Sequence, residues 1–529
     1  MFHFNKIRSK IHFILFPLSL ILLLSCQQRP VEDAIFIGIL SDFDTLNELN
    51  AADSDALQVI QHMLFTTLTR LDENLEFQPY LAENWAFSED GKILTYSLRD
   101  DIRWSDGQPT TAWDVQYTWQ LAIDTAVAYP AASRFDLVDS VVVENLHVVR
   151  FHFKKAYADA LFDTQIPILP KHVLAKIPAA EIATAAFNRN PVSNGPFRLA
   201  SWKANDVVTF LANPEFPIHK PKTKQVSFVV IPNENSLLNH LKTGEIDVVS
   251  SLSPQIYQSL QSEKNIVTQR YDGREFAFVG WNNSHPVLQK NVRLALSKAV
   301  DRREIIATLL NGFAEPATGP LMPFAWAYDA TLAAIPFDPA AARTELDAAG
   351  WRDSDGDGIR EKDGQLLTFT ISVNAGNQLR SDIAVMLQAQ LRNVGADAQI
   401  ETLEWHLFIE KVFVQSDFDA VVLSWDADFS VNPAPLWHSD AIENGYNFVK
   451  YRNPAVDSLL ESGRNLADRN ASKPIWRKFQ QTIINDAPYT FLFIPSQLAA
   501  MDNRIQNAQM DARGFLCNIA KWEKSITRE

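Results

Sequence analysis

The chain has 529 residues, 47% of them hydrophobic, with 13 tryptophans and a formal net charge of -15. That length exceeds one ordinary core and predicts two or three domains, and the apolar content excludes a disordered chain. The acidic balance, with no long basic run to track phosphates, excludes nucleic-acid binding.

The N-terminus reads as a leader. Lys6, Arg8 and Lys10 precede an apolar block, "FILFPLSLILLL" at 13–24, which is too short to span a bilayer comfortably and right for a secretory core. It ends in "LLSC", which resembles a lipobox, so Cys26 is expected to take a lipid and become the mature N-terminus. Removing 1–25 leaves 45 basic and 63 acidic side chains, net -18. Gln27 stands where aspartate retains some lipoproteins in the inner membrane, which points to the outer membrane and leaves a Gram-positive surface open. With Cys26 lipidated, Cys517 is unpaired, so no disulfide framework is expected and folding rests on core burial.

The strands and helices that follow carry clear signals. "KILTYSLRDDIRWSDG" (92–107) reads as a hairpin-like pair closing at Asp106-Gly107, and Thr111 with Asp114 forms a capping box for the helix after it. In "LHVVRFHF" (146–153), Val149, Phe151 and Phe153 alternate with Arg150 and His152, a strand with one wet face. "VSFVVIP" (226–232) and "FDAVVLSW" (418–425) are continuous apolar runs, as strands buried on both faces are. Asp301 and Glu304 make a capping box for a helix ending at Gly312, and Asp338-Pro339 open a helix that Gly350 closes. Ile383, Met386, Leu387, Leu391 and Val394 share a helix face, and Asn453-Pro454 start another helix. Strands alternating with helices in the last half predict an α/β fold, while 79–190 is richer in strands and loops.

Chemistry-bearing clusters are few. The 11 histidines include no HExxH, and no GxSxG, phosphate loop or dinucleotide fingerprint occurs. Asp353, Asp355, Asp357 and Gly358 follow the start of a calcium loop, but Gly364 stands where a bidentate glutamate belongs. The segment is either a structural calcium loop or a solvated Asp/Gly turn. In "VVLSWDADFSVNP" (421–433), Asp426 and Asp428 stand two residues apart beside Trp425. This pair reads as an acid/base pair, half a metal site or an anchor for a cation. No assembled nucleophile, base and orienter is visible, which disfavours an enzyme.

Four stretches together resemble the bacterial extracellular solute-binding proteins of family 5, the peptide and nickel receptors of ABC importers. They are "LAENWAFSEDGKILTYSLRDDIRWSDGQPTTAWDVQYTWQ" (81–120), "PVSNGPFRLASWKANDVVTFLANPEF" (191–216), "NVRLALSKAVDRREIIATLLNGFAEPATGPLMP" (291–323), and the run from "ELDAAGW" through "WDADF" to "YRNPAVDSLLESG". Their order holds from about 34 to 505.

The resemblance implies an α/β, bilobed periplasmic-binding-protein-like fold of the large three-domain form, closing by a hinge over a central cleft. The expected division is a signal peptide at 1–25, a first domain at 26–75, 191–275 and 496–529, a strand-rich second at 76–190, and a third at 276–495. In peptide-binding members an aspartate in a W-x-A-D-Y pattern meets the peptide ammonium, and here it falls on Asp428. Trp425 and Trp405 match cleft-facing aromatics, and Asn374 and Trp281 complete the expected ligand contacts. Asp426 is expected to face solvent. The strand before Trp425 lacks the arginine that meets a peptide carboxylate in some members, and Arg274 and Arg380 are nominated instead.

The resulting expectation is a lipid-anchored, monomeric receptor, needing no cofactor, that hands oligopeptides or dipeptides to a membrane permease. The alternatives are another solute (an oligosaccharide, an opine-like compound or a nickel chelate), a sensory or adhesive surface protein, or an enzyme using Asp426 and Asp428.

Overall fold

The computed structural model describes residues 33–525; the expected leader and Cys26 lie outside the described residues. One strand, Tyr489–Asp502, organises the molecule. Its first part pairs antiparallel with Glu275–Trp281, its second part with Ile266–Asp272. These two partners are nearly collinear, separated only by Gly273 and Arg274, so two lines of backbone run side by side from one lobe into the other.

On one side of this crossover the sheet continues through Ala420–Asp426, Thr368–Asn374 and Asp397–Leu403. On the other it continues through Val248–Val249, Ala34–Ile39, Gln225–Val230, Val207–Ala212 and Phe197–Lys203, and the short strand Ala314–Pro316, paired with Tyr489–Asp502, brings the sheet to twelve strands. A separate antiparallel sheet, in the order Ala82–Phe87, Ile93–Leu98, Val148–Phe153, Val138–Asn145, packs on the first lobe.

The apolar runs dictate how the second lobe is layered. Side chains alternate across a strand, so Ala277, Val279 and Trp281 enter one core while Phe276 and Phe278 enter another. Ala420 and Val422 likewise join the first, Val421 and Leu423 the second. The helices Lys290–Lys298, Arg302–Leu310 and Gln378–Arg392 cover one face, and Pro454–Arg464 with Arg469–Asp486 cover the other. "FDAVVLSW" is therefore buried on both faces, as its continuous hydrophobicity predicts.

Most caps match their sequence signals. Asp338 accepts from the Ala341 N–H at 2.8 Å, Asn453 accepts from the Ala455 N–H at 3.0 Å, and the Thr111 N–H donates to Asp114 at 2.8 Å. Two expectations need correction. Asp301 caps the N–H groups of Arg303 and Glu304, but Glu304 does not return the bond. Gln390, from a neighbouring helix, accepts the Asp301 N–H at 3.0 Å and donates to Glu304 at 2.8 Å. The segment 92–107 holds one strand, not a pair. Ile93–Leu98 pairs with Ala82–Phe87 and Val148–Phe153, while Asp106-Gly107 turns only the isolated bridge between Arg103 and Pro109. Gly107 there has φ +90°, open to glycine at no steric cost.

Candidate functional site

Ala420–Asp426 runs toward the crossover and ends opposite Glu275. The Ala427 N–H then donates to the Arg274 carbonyl at 2.9 Å, fixing the exit of the chain. Asp428 follows. Its Oδ1 accepts from the Phe429 N–H at 2.7 Å, and its Oδ2 accepts from Arg134 Nη2 at 2.6 Å. Arg134 sits on a 3-10 turn, Ala132–Phe135, of the first lobe, and its Nη1 donates to the Gln165 carbonyl at 2.6 Å. The charge-assisted pair thus joins the lobes.

The electrostatics follow from this neighbourhood. Burial pushes the Asp428 carboxyl up, but bonded Arg134 and nearby Arg274 outweigh it and hold the group below the usual carboxylate range. Burial opposes the Arg134 cation, which Asp428, Tyr129 and Asp163 more than restore. Behind Arg134 lies Glu48, only 7% exposed, whose Oε1 accepts from the Tyr129 hydroxyl at 3.2 Å. Burial pushes the Glu48 carboxyl up to about 7 against the pull of Arg134. Asp163, also buried, is pushed up to about 7 against Tyr157 and Arg134.

Arg134, Asp428 and Phe429 stand in the wall of a cavity of about 250 Å³, together with His62, Gln165 and Arg274. The Arg274 guanidinium lies 5.4 Å from the Phe429 ring centre. His62 is kept neutral, its imidazolium disfavoured chiefly by burial, which brings its pKa down to about 4.

A second contact between the lobes lies nearby. Asp159, buried beside the first-lobe core, accepts from the Val431 N–H at 2.7 Å and from Trp326 Nε1 at 2.9 Å, and Arg469 stands at 3.4 Å. All three partners belong to the second lobe. Burial raises the Asp159 carboxyl, and these donors counter it.

Of the five expected ligand residues, Asp428 lines the cavity and the others do not. Trp425 is half-buried in an aromatic cluster with Phe278, Phe413, Tyr446 and Phe448, and its Nε1 donates to the Tyr489 hydroxyl at 3.2 Å. Trp405 is 54% exposed and stacks on Phe408. Asn374 accepts from Arg380 at 2.8 Å.

Trp281 is a correction. It lies six residues along its strand from Glu275, about 20 Å from the crossover end. It is 1% exposed, and its Nε1 donates to Thr490 at 2.9 Å. Asp426 is exposed at the strand end, as expected. Arg274 faces the cavity, whereas Arg380 is engaged by Asn374 and Ser424. Arg134 and Gln165 carry no sequence signal that marks them for the site.

The Asp-rich loop brings Asp353, Asp355 and Glu361 together, leaving out Asp357, which accepts from the Ile359 N–H at 2.7 Å. Asp353 and Asp355 accept from the backbone N–H groups of the turn itself.

Comparison with known proteins agrees with this architecture. The family model described as "Bacterial extracellular solute-binding proteins, family 5 Middle" matches residues 76–447. The oligopeptide-binding protein AppA of Bacillus subtilis is 30% identical over 497 residues, covering 92% of this chain and 91% of that protein. The structure of Bacillus subtilis AppA in complex with a nonapeptide superposes with a TM-score of 0.79 at 28% identity, covering 93% of this chain and 99% of the other. That of NikZ from Campylobacter jejuni in complex with Ni(L-His) gives 0.81 at 26% identity, covering 93% and 100%.

Proposed function

Because this chain belongs to the bacterial extracellular solute-binding proteins of family 5, which are transport receptors and not enzymes, we propose that it captures short peptides in the interlobe cleft and delivers them to the membrane permease of an ABC importer. The observation that carries this reading is Asp428. It is an ionised carboxylate on the cleft wall, at the end of a buried strand, already holding a cation from the opposite lobe. A peptide ammonium suits the position Arg134 now fills, since both donate charge-assisted hydrogen bonds to a carboxylate. The cavity of about 250 Å³ is close to the lower end of the ~300–1,000 Å³ of ordinary small-molecule sites. That size favours a short peptide.

A second reading is a metal chelate of a small carboxylate ligand. It is favoured by the arginines in the cleft wall and by the likeness to NikZ with Ni(L-His). Asp426 and Asp428 as a catalytic pair is set aside. One is exposed and the other is ion-paired to Arg134.

Among the described residues no helix is long and apolar enough to cross a membrane. Tethering is assigned to a lipid on Cys26, with the mature chain extracellular or periplasmic and monomeric. Two experiments test these proposals. Native mass spectrometry of the purified protein is expected to show co-purified peptides, and a nickel-bearing adduct with no peptide would overturn the reading. Metabolic labelling with a fatty acid is expected to mark the parent and not Cys26→Ala, and equal labelling of both would remove the anchor.

A further inference from the structure

The cleft wall is cationic in an acidic protein. The chain has 48 Lys and Arg against 63 Asp and Glu. The cavity wall reverses this, with Arg70, Arg134, Arg274, Arg513 and Lys521 against Asp72, Glu73 and Asp428.

Partners decide which of these charges act on a ligand. Arg134 is engaged by Asp428, and Arg513 by Asp511 at 2.5 Å. Arg274 stands beside Asp428 and already serves that carboxylate. Asp72 is saturated, accepting from the N–H groups of Asn74 and Glu76 and from the Gln78 amide. Glu73 is exposed and lies near the paired Arg513. Arg70 and Lys521 remain, with no carboxylate in ion-pair contact among the described residues.

Their surroundings are specific. Arg70 Nη2 donates to His219 Nε2 at 2.7 Å, so that nitrogen accepts and the ring is neutral. Burial, Arg70 and Lys521 all lower the His219 pKa, which keeps it neutral. The Arg70 guanidinium also lies 5.5 Å from the centre of the buried Tyr80 ring, which holds it in place. The groups come from three separate segments: the strand Thr69–Leu71, the loop after Val207–Ala212, and the C-terminal turn Ile519–Lys521. A guanidinium donating to a neutral imidazole, with an ammonium close by, is an arrangement that a carboxylate completes.

We infer that Arg70, His219 and Lys521 form an anion subsite of the cleft that takes a carboxylate of the bound solute. This rests on the peptide reading and deepens it. The receptor selects peptides with a free C-terminal carboxylate, met by first-lobe residues and not by the strand before Trp425.

The test is calorimetric titration of the protein with peptide pairs differing only in a free-acid or amidated C-terminus. The acid is expected to bind roughly 10- to 100-fold tighter, the difference one or two charged hydrogen bonds make. In the Arg70→Gln/Lys521→Gln double variant that ratio is expected to fall to within about threefold. Lys521→Gln alone, at an exposed position, is expected to remove part of the ratio, which guards against misfolding of the double variant. Equal binding of acid and amide by the parent would overturn the subsite and leave the peptide reading standing. Binding of neither form would overturn the peptide reading, and citrate would then test the subsite separately. Citrate bound by the parent and lost in the double variant supports it, whereas citrate ignored by the parent overturns it.

Discussion

Arg134 Nη2 lies 2.6 Å from Asp428 Oδ2, joining residues 294 positions apart across the two lobes. The carboxylate we propose for the ligand ammonium is therefore occupied by the protein's own cation. Both side chains keep some solvent contact, 22% for Arg134 and 45% for Asp428, so water screens the pair and its net stabilisation is about 1 kcal/mol or less. A bond of that strength holds the lobes together without barring a ligand that offers the same charge.

Competition at this position gives the first prediction. Asp428→Asn is expected to weaken binding of free-amine peptides by roughly tenfold or more, because it removes the charge an ammonium pairs with. Asp426→Asn is expected to change it less than about threefold. Arg134→Gln is expected to raise affinity for the same peptides, since the competitor is gone. Calorimetry on the three variants checks the order, and an Asp428→Asn protein that binds like the parent would refute the assignment.

Glu48 gives the second. Its folded pKa, about 7, lies above the ordinary carboxylate value of 4.5. Between these values the native state holds a proton that the unfolded state has released, so stability declines as pH rises from about 4.5 to 7 and levels off beyond. Asp163 acts in the same direction. Glu48→Gln removes its own contribution. Its melting temperature is expected to gain on that of the parent as pH goes from 5 to 8. A constant difference across that range would show that Glu48 does not titrate there.

Asp159 gives the third. Its carboxylate satisfies a backbone N–H, an indole N–H and an arginine of the other lobe. Asp159→Ala leaves these donors without their acceptor and is expected to cost about 1–3 kcal/mol. It is also expected to enlarge the radius of gyration of the ligand-free protein in small-angle scattering. An unchanged radius would limit the residue to local packing.

The fourth concerns Gln390, whose side chain completes the cap of Arg302–Leu310. Gln390→Ala is expected to destabilise by about 1–2 kcal/mol, more than Glu304→Ala, because it leaves the Asp301 N–H without its acceptor. A denaturant midpoint lower for Glu304→Ala than for Gln390→Ala would restore the simple capping box.

Much of the architecture was legible in the sequence because its signals are local. Asp338, Pro339 and Gly350 bound a helix through contacts within a few residues. The alternation of Val149, Phe151 and Phe153 places them inside one sheet face. "FDAVVLSW" reads as doubly buried because each of its faces needs an apolar neighbour. The position of Asp428 was legible only through family resemblance, as one carboxylate after a strand end, and Trp281 was misplaced because tryptophan suits a core and a cleft equally well.

The sequence by itself determined most of the strands, helices and caps, and the family to which they belong. Periodicity of 2 or 3.6 residues and the geometry of a turn are properties of neighbours in the chain. Only the tertiary structure decided that Arg134 meets Asp428, that Gln390 finishes the cap at Asp301, and that Arg70, His219 and Lys521 converge on one wall. Hydrogen bonds and ion pairs act over a few ångströms, whereas these partners are brought to that distance by the path of the chain between them. A side chain's type does not encode that path.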